Sequence, residues 1–293
     1  MPPQPVQTRW NSWLETVQYH QEHMHLYRGF LEEEDSDAQS VARICNILTG
    51  DSYAKLRLQV SFIADSCDRL MTALTTLETT KEPIATRVYD ILEDLESILR
   101  GGCNKVLFGE TTDALLRPLR RADRDEYLES FHNVYICALS KLSKHWDQHP
   151  CRSIYKYARV FDPRKVPGLT RNLDAFADVL DIDVTPAVLE EWYAYRDFAC
   201  SPAAADDMDI DEAGHVNVAG FWKGYGRRFP TLARAAKEYM WFPVGSVDVE
   251  RSFSAYKNLL TDKRHGLTQT NTKNLAALYF NGDIVGRWGG YID

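Results

Sequence analysis

The sequence is short of positive charge. Its 293 residues carry 34 lysines and arginines against 42 aspartates and glutamates, a formal net charge of -8. Proteins that live on phosphate contacts show a basic field, so the overall charge gives nucleic-acid binding no support and leaves only a local patch open to it. Long apolar runs are missing as well. None approaches the roughly 20 residues that span a bilayer, and the opening MPPQPVQTRW has no apolar signal core. The six cysteines (Cys45, Cys67, Cys103, Cys137, Cys151 and Cys200) include no C-x-x-C pair. That spacing argues against a zinc knuckle and against a disulfide framework. They read as reduced, mostly buried thiols of an intracellular protein. Nucleus or cytosol is expected, and no strong basic import cluster separates the two. Strict alternation of apolar and polar residues is almost lacking, which argues against a sheet protein, and no repeat of 20 to 50 residues supports a solenoid.

What the sequence has in quantity is helical periodicity. Hydrophobic residues make up 44% and charged ones 26%, the range of a soluble globular protein. The length suits one large or two ordinary domains. Trp10, Trp13, Leu14, Val17, Met24, Tyr27 and Leu31 recur at three-to-four spacing over 10–33, with Ser12 and Glu15 fitting a capping box. Ser36 or Asp37 opens a second helix bearing Val41, Ile44, Cys45 and Leu48, and Gly50 is placed to end it in a left-handed conformation. A long stripe runs from Tyr53 to Leu77, another from Val88 to Leu99 before Gly101 and Gly102, and a third from Asp123 to Trp146. Shorter helical patterns fall at 153–160 and 173–180, and one from Thr185 and Pro186 to Ala199 has its N-cap and first residue well matched. Further patterns fall at 218–222, 231–240, 246–260 and 268–280. The fold class expected is all-α. The acidic, turn-prone stretch SPAAADDMDIDEAGH reads as a linker and the best internal boundary, giving a helical domain over 1–200, a linker over 201–217 and a C-terminal region over 218–293.

Four ordered segments carry a family resemblance. The stretch FPVGSVDVERSFSAYKNLLTDKRHGLTQTNTKNLAALYFN resembles the C-terminal signature of hAT transposases. Its E-R-x-F-S core falls on Glu250, Arg251, Phe253 and Ser254, its basic element on Lys263 and Arg264 before Leu267, and its closing helix carries Leu275 and Leu278. Upstream, FWKGYGRRFPTLARAAKEYM is similar to the family through Phe221, Trp222, Phe229, Pro230 and Leu232. YKYARVFDPRKV resembles its hydrophobic-Asp-Pro-Arg element at Asp162, Pro163 and Arg164, and TRWNSW its Arg-Trp motif at Arg9 and Trp10. Any one match is weak; the ordered set is specific.

The resemblance implies a helical insertion-type bundle followed by the C-terminal helices of an incomplete RNase H-like core. It implies a catalytic site of two aspartates and one glutamate around two divalent metal ions, which in a complete transposase lie about 4 Å apart and drive phosphoryl transfer. The motif assigns the glutamate to Glu250. Both aspartates are expected upstream of the Arg-Trp motif, and the chain begins only eight residues before Arg9. Glu250 is therefore expected to be vestigial, with no cofactor and no metal held by this chain alone. The resemblance also implies a dimerisation segment. Leu232, Ala236, Tyr239 and Met240 form one stripe for it, and Phe253, Leu275 and Leu278 complete the candidate contact residues. The expected function is that of a transposase-derived dimerising protein, a homodimer or higher oligomer that can also take up an intact transposase. The alternatives are a component of an active DNA transposase and a DNA-binding regulator of transposition.

Each candidate has a plainer account. Glu250 suits the first turn of a helix, where the dipole favours a negative charge. Trp10 can stack on a base, but with Trp13 it fits the apolar stripe of the first helix, and that account is preferred. Arg9, Arg251, Arg120 and Arg121 are candidate DNA contacts. Arg117, Arg120, Arg121 and Arg124 form the densest basic patch, and Asp123, Asp125 and Glu126 beside it favour an ion-paired surface. His145 and His149 have chelating spacing, but Trp146 stands where a metalloprotease motif needs glutamate. His20, His23 and His25 read as a solvated helix face.

Overall fold

Apolar stripes at helical spacing become helices because only one face of each has to leave water. The computed structural model describes residues 10–33, 38–79, 82–202 and 208–244. The chain divides into two units, Met1–Phe242 and Pro243–Asp293, and every described helix belongs to the first. Among the described residues there is no strand, only an isolated antiparallel bridge between Ile210 and Val216. The fold is all-α, as the periodicity predicts.

The first stripe differs from expectation in more than one respect: the helix already runs at Trp10, so Ser12 lies inside it and does not open it as the capping box predicts. The stripe is also divided into α1 (Trp10–His23), a 3-10 turn at Met24–Leu26 and α2 (Tyr27–Glu33). At the break the His23 ring turns back on its own helix: it stacks on Tyr19 with centroids 4.1 Å apart, and its Nδ1 lies 2.9 Å from the Tyr19 carbonyl. A second histidine bond spans the break, His20 Nδ1 to the Tyr27 hydroxyl at 2.6 Å. After α3 (Gln39–Ile47), Gly50 takes φ +56°, the left-handed turn expected there, and opens α4 (Gly50–Leu77). α1 and α4 run antiparallel, since Asn11 bonds Thr75 and Gln21 bonds Asp65. Leu14 and Met24 are buried along α1 and its end. Trp13 is 42% exposed, so it does not join that buried edge.

α5 (Ala85–Gly102), α6 (Glu110–Leu116) and α7 (Arg121–Trp146) close on α4. Their shared core is Leu58, Phe62, Phe108, Leu116, Phe131 and Tyr135, with Phe62 and Phe131 stacked 3.9 Å apart. Asp65 fastens the layer, accepting from Gln21, from the Thr112 N–H and from the Thr112 hydroxyl at 2.7–2.9 Å. α5 and α7 approach so closely at Gly102 that a Cβ there would fall 2.1 Å from the Tyr135 ring.

A larger core lies further along the chain. α8 (Arg152–Ala158), the 3-10 turns at Arg159–Phe161 and Val166–Gly168, α9 (Asp174–Ala177) and α10 (Pro186–Ala199) supply its first part. α11 (Val218–Tyr225) and α12 (Pro230–Tyr239) supply the rest, so residues on both sides of the acidic stretch share one core. Three aromatic polar tips in it reach backbone carbonyls, as buried donors must. Trp192 donates to Arg171 at 2.8 Å, Trp222 to Phe161 at 2.8 Å and Tyr195 to Val160 at 3.0 Å. The Thr185 side chain caps α10 at Val188 N, as its sequence position suggested, and Glu191 accepts from Leu232 N at the start of α12. Asp90 of α5 ties the two cores together, pairing with Arg159 at 2.9 Å and with Lys165.

The cysteines are all free, but none is fully buried: Cys137 and Cys200 are exposed and the other four half-buried. The expectation of mostly buried thiols is corrected on this point: Cys103, Cys151 and Cys200 stand at helix ends, where less of the side chain is covered, and Cys45, Cys67 and Cys137 lie at partly or fully exposed helix positions.

Candidate self-association surface

α12 has two sharply different faces. Leu232, Ala233, Ala235, Ala236 and Met240 are buried in the chain's own core, while Arg234, Lys237 and Glu238 stand outside it. The three-to-four spacing of a helix sorts them in this way. Of the candidate contact residues, Leu232, Ala236 and Met240 thus hold α12 to the core. Tyr239 is half-buried and stacks on Phe161 and Phe242, with centroids 6.4 and 6.5 Å apart. Burial pushes its hydroxyl above the usual tyrosine value.

The outer faces of α11 and α12 meet in a groove of about 650 Å³ lined by Lys223, Arg227, Arg234, Lys237 and Glu238, with Trp222, Gly226, Pro230 and Ala233 beneath. The elbow is tight: a Cβ at Gly226 would lie 2.8 Å from the Trp222 carbonyl. Among the described residues Arg227, Arg234 and Lys237 take part in no ion pair. This groove is not among the sites expected from the sequence. Its one visible signal there is cations at 223, 227, 234 and 237, all at positions the apolar stripes leave free.

Just before α11 the chain makes a tightly bonded acidic turn. Asp211 N–H donates to the His215 carbonyl, and the Asp211 carboxylate accepts from the His215 N–H at 2.7 Å. That second bond, first among its causes, holds the Asp211 carboxyl below the usual carboxylate range. Gly214 has φ +82°. Asn217 caps α11 at Gly220 N and donates to Asp209 at 2.9 Å. Arg164 donates to the Gly214 carbonyl from the other side. Asp209, Asp211 and Glu212 are left exposed.

Arg164 belongs to the Asp-Pro-Arg element, whose role here is structural. Asp162 is 6% exposed and accepts from the Arg164 N–H at 3.0 Å. Burial pushes its carboxyl up, against the pull of Lys165. The element thus turns the chain and presents Arg164 to the acidic turn.

The other candidates fall elsewhere. Arg120 pairs with Asp123 and Arg121 with Asp125 on the exposed start of α7, the ion-paired surface that their neighbours suggested. Trp10 begins α1. Arg9, Glu250, Arg251, Phe253, Leu275 and Leu278 lie outside the described residues. Among the described residues no three His, Cys, Asp or Glu side chains converge as metal ligands. His149 Nδ1 instead accepts from the Cys151 N–H at 3.2 Å.

Fold and surface together describe a helical chain whose α11–α12 layer combines a buried apolar face with a charged outer one. Residues 203–281 match the family model of the hAT family C-terminal dimerisation region, a similarity consistent with an hAT family transposase C-terminal part. No curated protein matches the chain. No helix among the described residues is long and apolar enough to cross a membrane.

Proposed function

We propose that this chain is a transposase-derived protein whose activity is self-association, as a homodimer or higher oligomer, through the region over residues 203–281. The match of that segment to the hAT dimerisation region carries the reading. In it, the buried Leu232, Ala236 and Met240 act by fixing α12 on the core, while Tyr239, Phe253, Leu275 and Leu278 supply apolar contact to the second copy. An intact transposase bearing the same region would be accepted in the same way. Sedimentation velocity at micromolar concentration tests it: a mass near twice that of the chain is expected, and a monomer throughout the dilution series overturns it.

On this reading the chain contributes association and not strand cleavage. Phosphoryl transfer at a two-ion site takes three carboxylates, and Glu250 is the one acid that the resemblance assigns. Incubated with magnesium and inverted-repeat DNA, the chain is expected to cut nothing. Metal-dependent cleavage that disappears in Glu250→Gln would reverse this part of the proposal.

A further inference from the structure

We infer that the basic groove between α11 and α12 receives the acidic turn of a second copy of this chain, so that the dimer is held by two reciprocal charge contacts. The inference rests on the self-association reading and names its partner surfaces. The groove offers Lys223, Arg227, Arg234 and Lys237 against the single acid Glu238. The turn offers Asp209, Asp211 and Glu212, all exposed. Both lie inside the segment matched to the dimerisation region.

Three observations favour a second copy over the chain's own turn. The turn is pinned at the N-terminal end of α11 by the bond from Asn217 to Asp209 and by the bond from Arg164 to Gly214. Lys223, Gly226 and Arg227 lie at the other end of that helix. The eight residues of α11 set the two charge groups about 12 Å apart along the axis, so Asp209 and Asp211 cannot turn back into their own groove. The helix dipole accounts for acids at one end and bases at the other; among the described residues Arg227, Arg234 and Lys237 still take part in no ion pair, and Asp209, Asp211 and Glu212 stay exposed to solvent. Finally, two copies of a chain with net charge -8 repel at long range. A basic groove is where the approach of a second copy becomes favourable. A twofold axis relating antiparallel α11–α12 layers makes the contact twice, turn into groove and groove onto turn.

The test uses the full chain and a pair of complementary variants. In the first, Arg227→Glu, Arg234→Glu and Lys237→Glu make the groove acidic. In the second, Asp209→Asn, Asp211→Asn and Glu212→Lys make the turn basic while keeping acceptors for Asn217 and His215. None of the six sites is buried, and thermal melts check that each variant stays folded. In sedimentation, each variant alone is expected to dimerise about tenfold more weakly than wild type at low salt, a difference that high salt shrinks. Mixed in equal amounts, the two should form a heterodimer that is tighter than either homodimer, because the acidic groove of one then meets the basic turn of the other. Arg227→Lys with Arg234→Lys should leave the dimer intact.

Either variant dimerising as tightly as wild type overturns the inference and leaves the self-association reading standing. So does a folded mixture that stays monomeric. A monomeric wild type overturns the reading beneath it. Loss of duplex-DNA binding in the groove variant with an unchanged dimer mass would assign the groove to nucleic acid and also overturn the inference.

Discussion

At the scale of single residues, the family-like positions that the structure describes do structural work that their chemistry dictates. Asp162 is buried beside Lys165, and its carboxyl is raised above the ordinary 3.8 by burial. A raised folded value means that the native state holds the proton more tightly than the unfolded chain does. This group therefore subtracts stability as pH rises from 3.8 through the folded value, and the subtraction is complete above it. Asp162→Asn keeps an acceptor for the Arg164 N–H and removes the titration. In urea melts across the acid range, its stability relative to wild type is expected to improve as pH rises. The opposite slope would mean that the pull of Lys165 outweighs burial.

Two adjacent glycines give a second residue-scale contrast. Gly101 faces open space, whereas a Cβ on Gly102 meets Tyr135, itself 6% exposed. Gly102→Ala should cost about 1–3 kcal/mol through overpacking, and Gly101→Ala should gain up to about 1 kcal/mol through helix propensity. Equal effects in chemical denaturation would refute the close contact. In the sequence both read simply as the end of a stripe, because the partner ring is 33 positions away and no local pattern announces it.

At the scale of elements, one cap was plainly legible and another was misplaced: Ser12 lies inside α1 and not at its start. Thr185 before Pro186 fixes both the start of α10 and the bond that caps it. Gly50 was legible for the same reason, since its demand is local: a left-handed turn between two helices. The break after His23 was not, because the apolar spacing continues through it and the interruption comes with His23 bonding back to Tyr19 and His20 bonding forward to Tyr27. Nor was the basic groove. The densest basic run in the sequence, Arg117 to Arg124, carries ion pairs at Arg120 and Arg121, whereas the groove assembles thinly spaced cations from two helices only after the elbow at Gly226 folds. The caps also carry a prediction. Asn217 both caps α11 and holds Asp209, so Asn217→Ala should cost about 1 kcal/mol or somewhat more. Asn217→Asp keeps the cap but sets two carboxylates face to face, and should recover only part of that loss. Full recovery in denaturant melts would show that the Asp209 bond contributes nothing.

At the scale of the molecule, the helical class followed directly from period and composition, while the distribution of the core did not. The acidic stretch looks like a boundary because it is polar and turn-rich, yet Phe161, Trp192 and Tyr195 before it pack with Phe221, Trp222 and Phe229 after it. Composition reports where a chain is solvated and says nothing about whether the segments on either side meet again. Trp222 makes the dependence concrete: its ring is 1% exposed and its N–H is satisfied by the Phe161 carbonyl, 61 positions earlier. A chain ending at residue 200 would uncover Trp192, Tyr195 and Phe161 together and leave that carbonyl to water. Each large aromatic returned to water forfeits roughly 2–3 kcal/mol, and a domain has only about 5–15 kcal/mol to lose. The fragment 1–200 is therefore expected to keep its helices over 10–146 while losing fixed packing beyond Ala158. It should show native-like far-UV circular dichroism, weakened near-UV signal, dye binding to exposed apolar surface and rapid proteolysis after α8. A fragment that melts cooperatively with an unchanged near-UV spectrum would show that α11 and α12 are an independent module docked on a finished core.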